Sequence, residues 1–190
     1  MASRLGLSLL ATVAAASVAL TVLLASPAAA APSSGVNWKE TWKVNGVPVL
    51  SFKVTSVTVG KTKWTARISF RNLLHRTVTI PRNSFGIAFY GSAKLTAKTP
   101  PVAYGIAKTF SKPRPTRLAA GDSWSGVISG LGRPAITGKA WVRIVFGPFS
   151  GVPGTSNLSL WVTDHALVLT FGSKSITPSK PSKPGGPLVI

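Results

Sequence analysis

Downstream of Trp38 the chain alternates apolar and polar residues with a period of two, which predicts pleated strands with one buried and one wet face. The clearest stretch places Trp64, Ala66, Ile68 and Phe70 on one face and Thr65, Arg67, Ser69 and Arg71 on the other. Just before it, residues 40–44 and 47–54 flank Asn45-Gly46. Both turn residues tolerate positive φ, so a tight hairpin is predicted there. In its second arm Leu50, Phe52 and Val54 share a parity that Val57 and Val59 do not. Such a slip of phase predicts a bulge near Thr55 and Ser56. Further strands are predicted over residues 77–80, 85–90, 123–129, 140–146, 158–162 and 166–171, with glycine and proline in the intervals. None of these segments carries a helical period. Many short strands separated by turn residues predict an all-β fold, an antiparallel immunoglobulin-like β-sandwich spanning residues 38–172.

The two ends read differently. Arg4, the apolar run 5–25, Pro27 and the small residues 28–31 have the three-part order of a secretory signal, so residues 1–31 are expected to be a signal-peptide helix. Roughly 20 apolar residues also suffice to span a bilayer, which makes an uncleaved anchor the competing reading. The richness in Ala, Ser and Thr and the lack of stop-transfer charges favour cleavage, leaving no membrane segment. Under either reading the remainder lies outside the cytoplasm, as a secreted or envelope-associated protein. Residues 32–37 read as a small-residue linker. Residues 173–190 contain two Ser-Lys-Pro units followed by Gly185-Gly186 and are expected to be a disordered Lys/Pro-rich tail or spacer.

Charge narrows the function classes. Lys and Arg number 22 against 3 Asp and Glu, a net charge of +19, of which only Arg4 leaves with the signal. Charge of one sign favours a soluble monomer but strains the compact state, a strain that salt or a polyanion relieves. The expected partner is therefore an anionic cell-envelope polymer or another polyanion such as nucleic acid, lipid headgroups or an acidic glycan; a generically basic exported protein is the plain alternative. No protein partner is indicated. With no cysteine, the chain has no disulfide framework, thiolate metal site or Cys nucleophile.

Two runs, VTVGKTKWTARISFRNLLHRTVTI over residues 57–80 and LAAGDSWSGVI over 118–128, carry a resemblance. They resemble small secreted immunoglobulin-like domains of high-GC Gram-positive bacteria, among them the mycobacterial secreted immunogenic proteins. The likeness covers roughly residues 49–146 and includes the strand-ending Phe70-Arg71-Asn72 and the turn Ala120-Gly121-Asp122. It implies an extracytoplasmic sandwich with a role in surface interaction and brings no catalytic residues. The high basicity and the Lys-Pro tail depart from that pattern.

Catalytic chemistry finds little material. The carboxylates after the signal are Glu40, Asp122 and Asp164. A glycosidase pair would need Glu40 and Asp164 to meet by folding, and Asp122 reads as a turn residue. His75, His165 and Asp164 formally permit a Ser-His-acid set, but no G-x-S-x-G elbow is present and Asp164-His165 reads as a turn. Histidines this far apart predict no metal site, and no phosphate-cradling glycine motif or cofactor is expected.

Binding finds more. Lys108, Lys112, Arg114 and Arg117 alternate with prolines that oppose helix or central strand, so an exposed basic loop is predicted, with Phe110 available to pack on a sugar or base. Arg67, Arg71 and Arg143, with Trp141 on the parity of Arg143, form a second expected patch. Of the six tryptophans, Trp64 and Trp124 read as core, while Trp38 and Trp42 are either exposed or seal an edge. Asn157-Leu158-Ser159 fits a glycosylation sequon. Together these features predict a non-enzymatic interaction module at or near the cell surface, with a carbohydrate-binding or adhesin module and an extracellular nucleic-acid binder as alternatives.

Overall fold

The computed structural model describes residues 33–96, 99–131, 136–155, 159–172, 176–179 and 188–189. The expected signal over 1–31 and the sequon residue Asn157 lie outside them. The hairpin forms where the sequence places it: β1 (Ser33–Val44) and β2 (Val47–Val59) join through Asn45 at φ 51° and Gly46 at φ 80°. Both turn residues therefore occupy the left-handed region that a two-residue hairpin loop requires. β2 pairs next with β3 (Lys63–Asn72), and the register shifts between Val54 and Ser56. That bulge carries the buried parity from Leu50, Phe52 and Val54 over to Val57 and Val59. β9 (Ser123–Leu131) continues the sheet beside β3, and β7 (Thr109–Phe110) closes it in the order β1-β2-β3-β9-β7.

The second sheet is built on β10 (Gly138–Phe146). One side pairs with β5 (Phe85–Tyr90), which in turn pairs with β6 (Ala103–Ile106). The other side pairs with β12 (Leu167–Phe171) and, further along, with β11 (Trp161–Val162). Between β11 and β12 the chain leaves the ladder at Thr163, whose hydroxyl accepts the Ile144 amide at 3.0 Å and donates to the His165 carbonyl at 3.0 Å. A two-stranded ribbon of β4 (Val78–Thr79) and β8 (Arg117–Leu118) lies outside both sheets. All pairings are antiparallel, and no helix occurs among the described residues.

The inner faces of the two sheets share one core. Phe52 of the first sheet meets Phe146 of the second at 4.0 Å between ring centroids, Phe70 meets Phe85 at 5.2 Å, and Trp42 stacks on Trp161 at 5.6 Å. Each such ring, taken from water into the core, contributes roughly 2–3 kcal/mol. Trp38 and Trp42, 7% and 1% exposed, seal the β1 edge. Trp64 lies against backbone: a Cβ at Gly130 would stand 2.6 Å from its Nε1 and 2.6 Å from the Ile106 carbonyl, so that position needs glycine for the close approach.

Three expectations are corrected. Residues 32–37 are not simply a linker, because β1 begins at Ser33, opposite Thr58. Part of the 173–190 tail is also paired, as β13 (Ile176–Ser179) on β12 and β14 (Leu188–Val189) on β11. Pro178 fits there because an edge strand leaves one backbone N–H unused by the ladder. Finally, the expected wet face of β10 is covered: Ala88, Tyr90, Val145 and Val162 form a second buried apolar cluster, against which Leu95, Trp141 and Leu160 pack.

Candidate anion-binding surface

The outer face of the first sheet is polar throughout its middle. Register sets two rows across β1, β2, β3 and β9: Lys39, Lys53, Ser69 and Ser125 in one, Thr41, Ser51, Arg71 and Ser123 in the next. With strands ~4.8 Å apart and alternate residues ~6.8 Å apart, each row spans about 14 Å. Arg67 follows beyond the bulge, opposite Ser56 and Val127. No carboxylate occupies these outward positions: Glu40, the acid on β1, has the parity of Trp38 and Trp42 and turns to the edge. Lys39 and Lys53 stand directly opposite one another, an arrangement that like-charge repulsion disfavours.

The basic loop divides between two places. Lys112 lines a shallow depression of the sheet face with Lys53, Thr55 and Arg67, beside Ser69 and Ser125. Lys108 and Arg114 instead line a hollow with Arg82 and Asn83. Arg117 is exposed on β8, opposite Thr79. Phe110 is half-buried, edge-on to Phe85 at 6.0 Å and to Trp124 at 6.2 Å. Arg67 and Arg71 are exposed on β3 as the alternation predicts, and Arg71 Nε donates to the Gly121 carbonyl at 3.0 Å.

Arg143 does not belong to this surface, which corrects the Arg67, Arg71 and Arg143 patch. It stands on the second sheet, 5% exposed, within the covered face of β10. Its Nη1 donates to the carbonyls of Thr163 and Asp164, and its Nη2 to that of Ala93 at 2.9 Å. Burial pulls this guanidinium below the usual arginine range, an effect opposed by Asp164, Tyr90 and Glu40. The alternation on β10 located its side of the strand but not what covers that side.

Folding does bring Glu40 to Asp164 and His165. The carboxylate, 8% exposed, accepts the Asp164 amide at 3.0 Å and the His165 amide at 3.2 Å, and lies 3.0 Å from His165 Nδ1. The His165 ring stacks on Trp38 at 6.1 Å. Both carboxylate oxygens are engaged in holding the 163–166 turn to β1, so the arrangement ties the two sheets together at their edge. Asn72, at the end of β3, makes a comparable tie through four side-chain hydrogen bonds to backbone.

Sequence reasoning missed Lys39, Lys53 and Arg82. The outward parity of Lys39 and Lys53 was visible in the hairpin, but their pairing depends on a register that shifts within β1 and again at the bulge. Comparison with family models, curated proteins and solved structures finds no match.

Proposed function

We propose that the chain is a secreted or cell-surface, non-enzymatic interaction module, an immunoglobulin-like sandwich that holds anionic cell-envelope polymers across the outer face of its first sheet. The observation that carries this is the pairing of Lys39 with Lys53 in a lattice completed by Arg67, Arg71 and Lys112, where the other positions of the two full rows hold hydroxyl side chains and no acid. Opposed lysines cost the free sheet roughly 0.2–1 kcal/mol, and an anion lying between them removes that repulsion. Serine and threonine hydroxyls add donors for phosphate or sulfate oxygens, and arginine adds forked ones. A flat, polar, unenclosed face suits an extended chain of anionic groups better than a small ligand.

The extracytoplasmic assignment rests on the signal pattern in residues 1–31, and the immunoglobulin-like one on the two antiparallel sheets and the resemblance carried by residues 57–80 and 118–128. A carbohydrate-stacking module finds less support, since Trp38, Trp42, Trp64 and Trp161 are all buried. Retention of the mature protein on anionic wall material at graded salt tests the proposal. Binding should fall steeply as salt rises, because bound cations release counterions and screening shortens the field. Retention indifferent to salt refutes it, and clear preference for DNA over non-nucleic polyanions would replace it with a nucleic-acid binder.

A further inference from the structure

A second group of cations lies off the sheet face. Arg82 and Asn83 from the β4–β5 connection, Lys108 from the β6–β7 connection and Arg114 from the β7–β8 connection line one hollow of about 400 Å³, together with Ile106, Ala107 and Phe110. Lys108 and Arg114 belong to the basic run 108–117, and the fold brings Arg82 and Asn83 to them from the β4–β5 connection.

The hollow differs from the sheet face in two respects. First, one of its cations is fixed in place. Arg114 Nη1 donates to the carbonyls of Ile80 at 3.0 Å and Pro81 at 3.1 Å. Neutral carbonyls orient the guanidinium without cancelling its charge, and its Nε and Nη2 hydrogens remain as donors. Second, the hollow has an apolar wall, whereas the rows of the sheet face are polar. Phe110 is held edge-on by Phe85 and Trp124, and Ala107 is buried beside it. Among the described residues no carboxylate lines the hollow. An oriented guanidinium, two exposed cations, an amide and a rigid ring are the parts of a site for one anionic group carried on a compact body with an apolar face.

We infer that this hollow binds a phosphate or sulfate monoester, with the anionic group on Arg82, Lys108 and Arg114 and the esterified body against Phe110. A terminal group of a glycan and a small soluble ester share this chemistry. The site stands independently of the sheet face, and would remain if that face bound nothing.

Titration of the mature protein with phenyl phosphate, glucose 6-phosphate and inorganic phosphate, followed by calorimetry and amide chemical shifts, tests the inference. Both esters should saturate one site, with shifts concentrated at residues 82–83 and 106–114. Phenyl phosphate should bind about tenfold more tightly than inorganic phosphate, which has nothing to place against the ring. The R82A/K108A variant removes two exposed side chains and should weaken both esters by about tenfold or more, while R76A/K139A, which removes two exposed cations lining neither the hollow nor the sheet face, leaves them unchanged. Unsaturated shifts spread over all the basic residues up to ~10 mM ester, or equal affinity in R82A/K108A, would overturn it.

Discussion

Asn72 offers the sharpest test of how the fold is held. It is wholly buried at the end of β3, where its Nδ2 donates to the carbonyls of Arg76 at 2.7 Å, Leu118 at 3.0 Å and Ala119 at 2.9 Å. Its Oδ1 accepts the Leu74 amide at 3.0 Å. One side chain thus closes the turn after β3 and fastens it to the chain entering β9. Asn72→Ala takes a donor from three carbonyls and the acceptor from the Leu74 amide, although the Ala119 carbonyl keeps the Asp122 amide at 3.2 Å. Leu118 is the most deeply buried of these contacts and carries the full penalty of roughly 1–3 kcal/mol, while water reaches the other three in part and reduces theirs. The sum is a loss of about 2–4 kcal/mol, or roughly 6–15 °C in Tm for a domain of this size.

Asn72→Asp separates the hydrogen bonds from the volume. It keeps the acceptor for Leu74 but turns a second oxygen toward three carbonyls. Burial and those oxygens favour the protonated acid, so its pKa in the folded state lies above its unfolded value. The folded state then holds the extra proton, and stability falls as pH rises from the unfolded aspartate range toward the folded value. Urea unfolding monitored by the buried tryptophans measures both variants. An Asn72→Ala change within about 0.5 kcal/mol of the parent, or an Asn72→Asp variant that gains stability as pH rises, would refute this reasoning.

Three further outcomes follow from the same geometry. Arg143→Ala should cost about 2–4 kcal/mol by removing the guanidinium donors from the Thr163, Asp164 and Ala93 carbonyls and opening a cavity, yet leave the salt dependence of polyanion binding unchanged; a shallower salt dependence would return Arg143 to the proposed binding surface. Glu40→Ala should release the amides of Asp164 and His165, so hydrogen exchange over residues 163–166 should quicken while β3 stays protected, and unchanged exchange there would show the tie to be idle. Both tyrosines should ionise above the usual 10.0: burial raises Tyr90, with Arg143 opposing and Tyr104 adding, and burial raises Tyr104, whose hydroxyl is tucked over Gly86. Stability should accordingly fall as pH climbs from the unfolded tyrosine value through the folded ones, and an ultraviolet titration matching free tyrosine would contradict this.

What was legible in the sequence is what short-range chemistry decides. Asn45-Gly46 can hardly be anything but a hairpin loop, the Trp64 to Arg71 alternation names its own buried face, and the phase slip marks the bulge. Strands buried on both faces were harder to read. β5 and β10 lie between the main core and the second apolar cluster, so Arg143 stood on an outward parity that is not wet. The proposed anion-binding surface was half legible for a related reason. Arg67 and Arg71 follow from one strand, but the opposition of Lys39 and Lys53 depends on register, and the parting of Lys112 from Lys108 and Arg114 depends on where two-residue strands β7 and β8 fasten the loop. The Glu40 tie joins residues 124 and 125 positions apart, beyond the reach of any local pattern.

Whether the charge acts as a surface or merely as a total can be decided by two variants of equal charge. K53Q/R67Q/K112Q removes three cations of the sheet face, and R76Q/K94Q/K139Q removes as many exposed cations elsewhere. Affinity for a defined poly(glycerol phosphate) is measured against salt for both. The first variant should flatten the logarithmic salt slope by about 3, roughly one for each cation lost, while the second changes it by less than ~1. Equal flattening in the two would mean that net charge alone drives association, and the sheet face would lose its claim to be the binding surface.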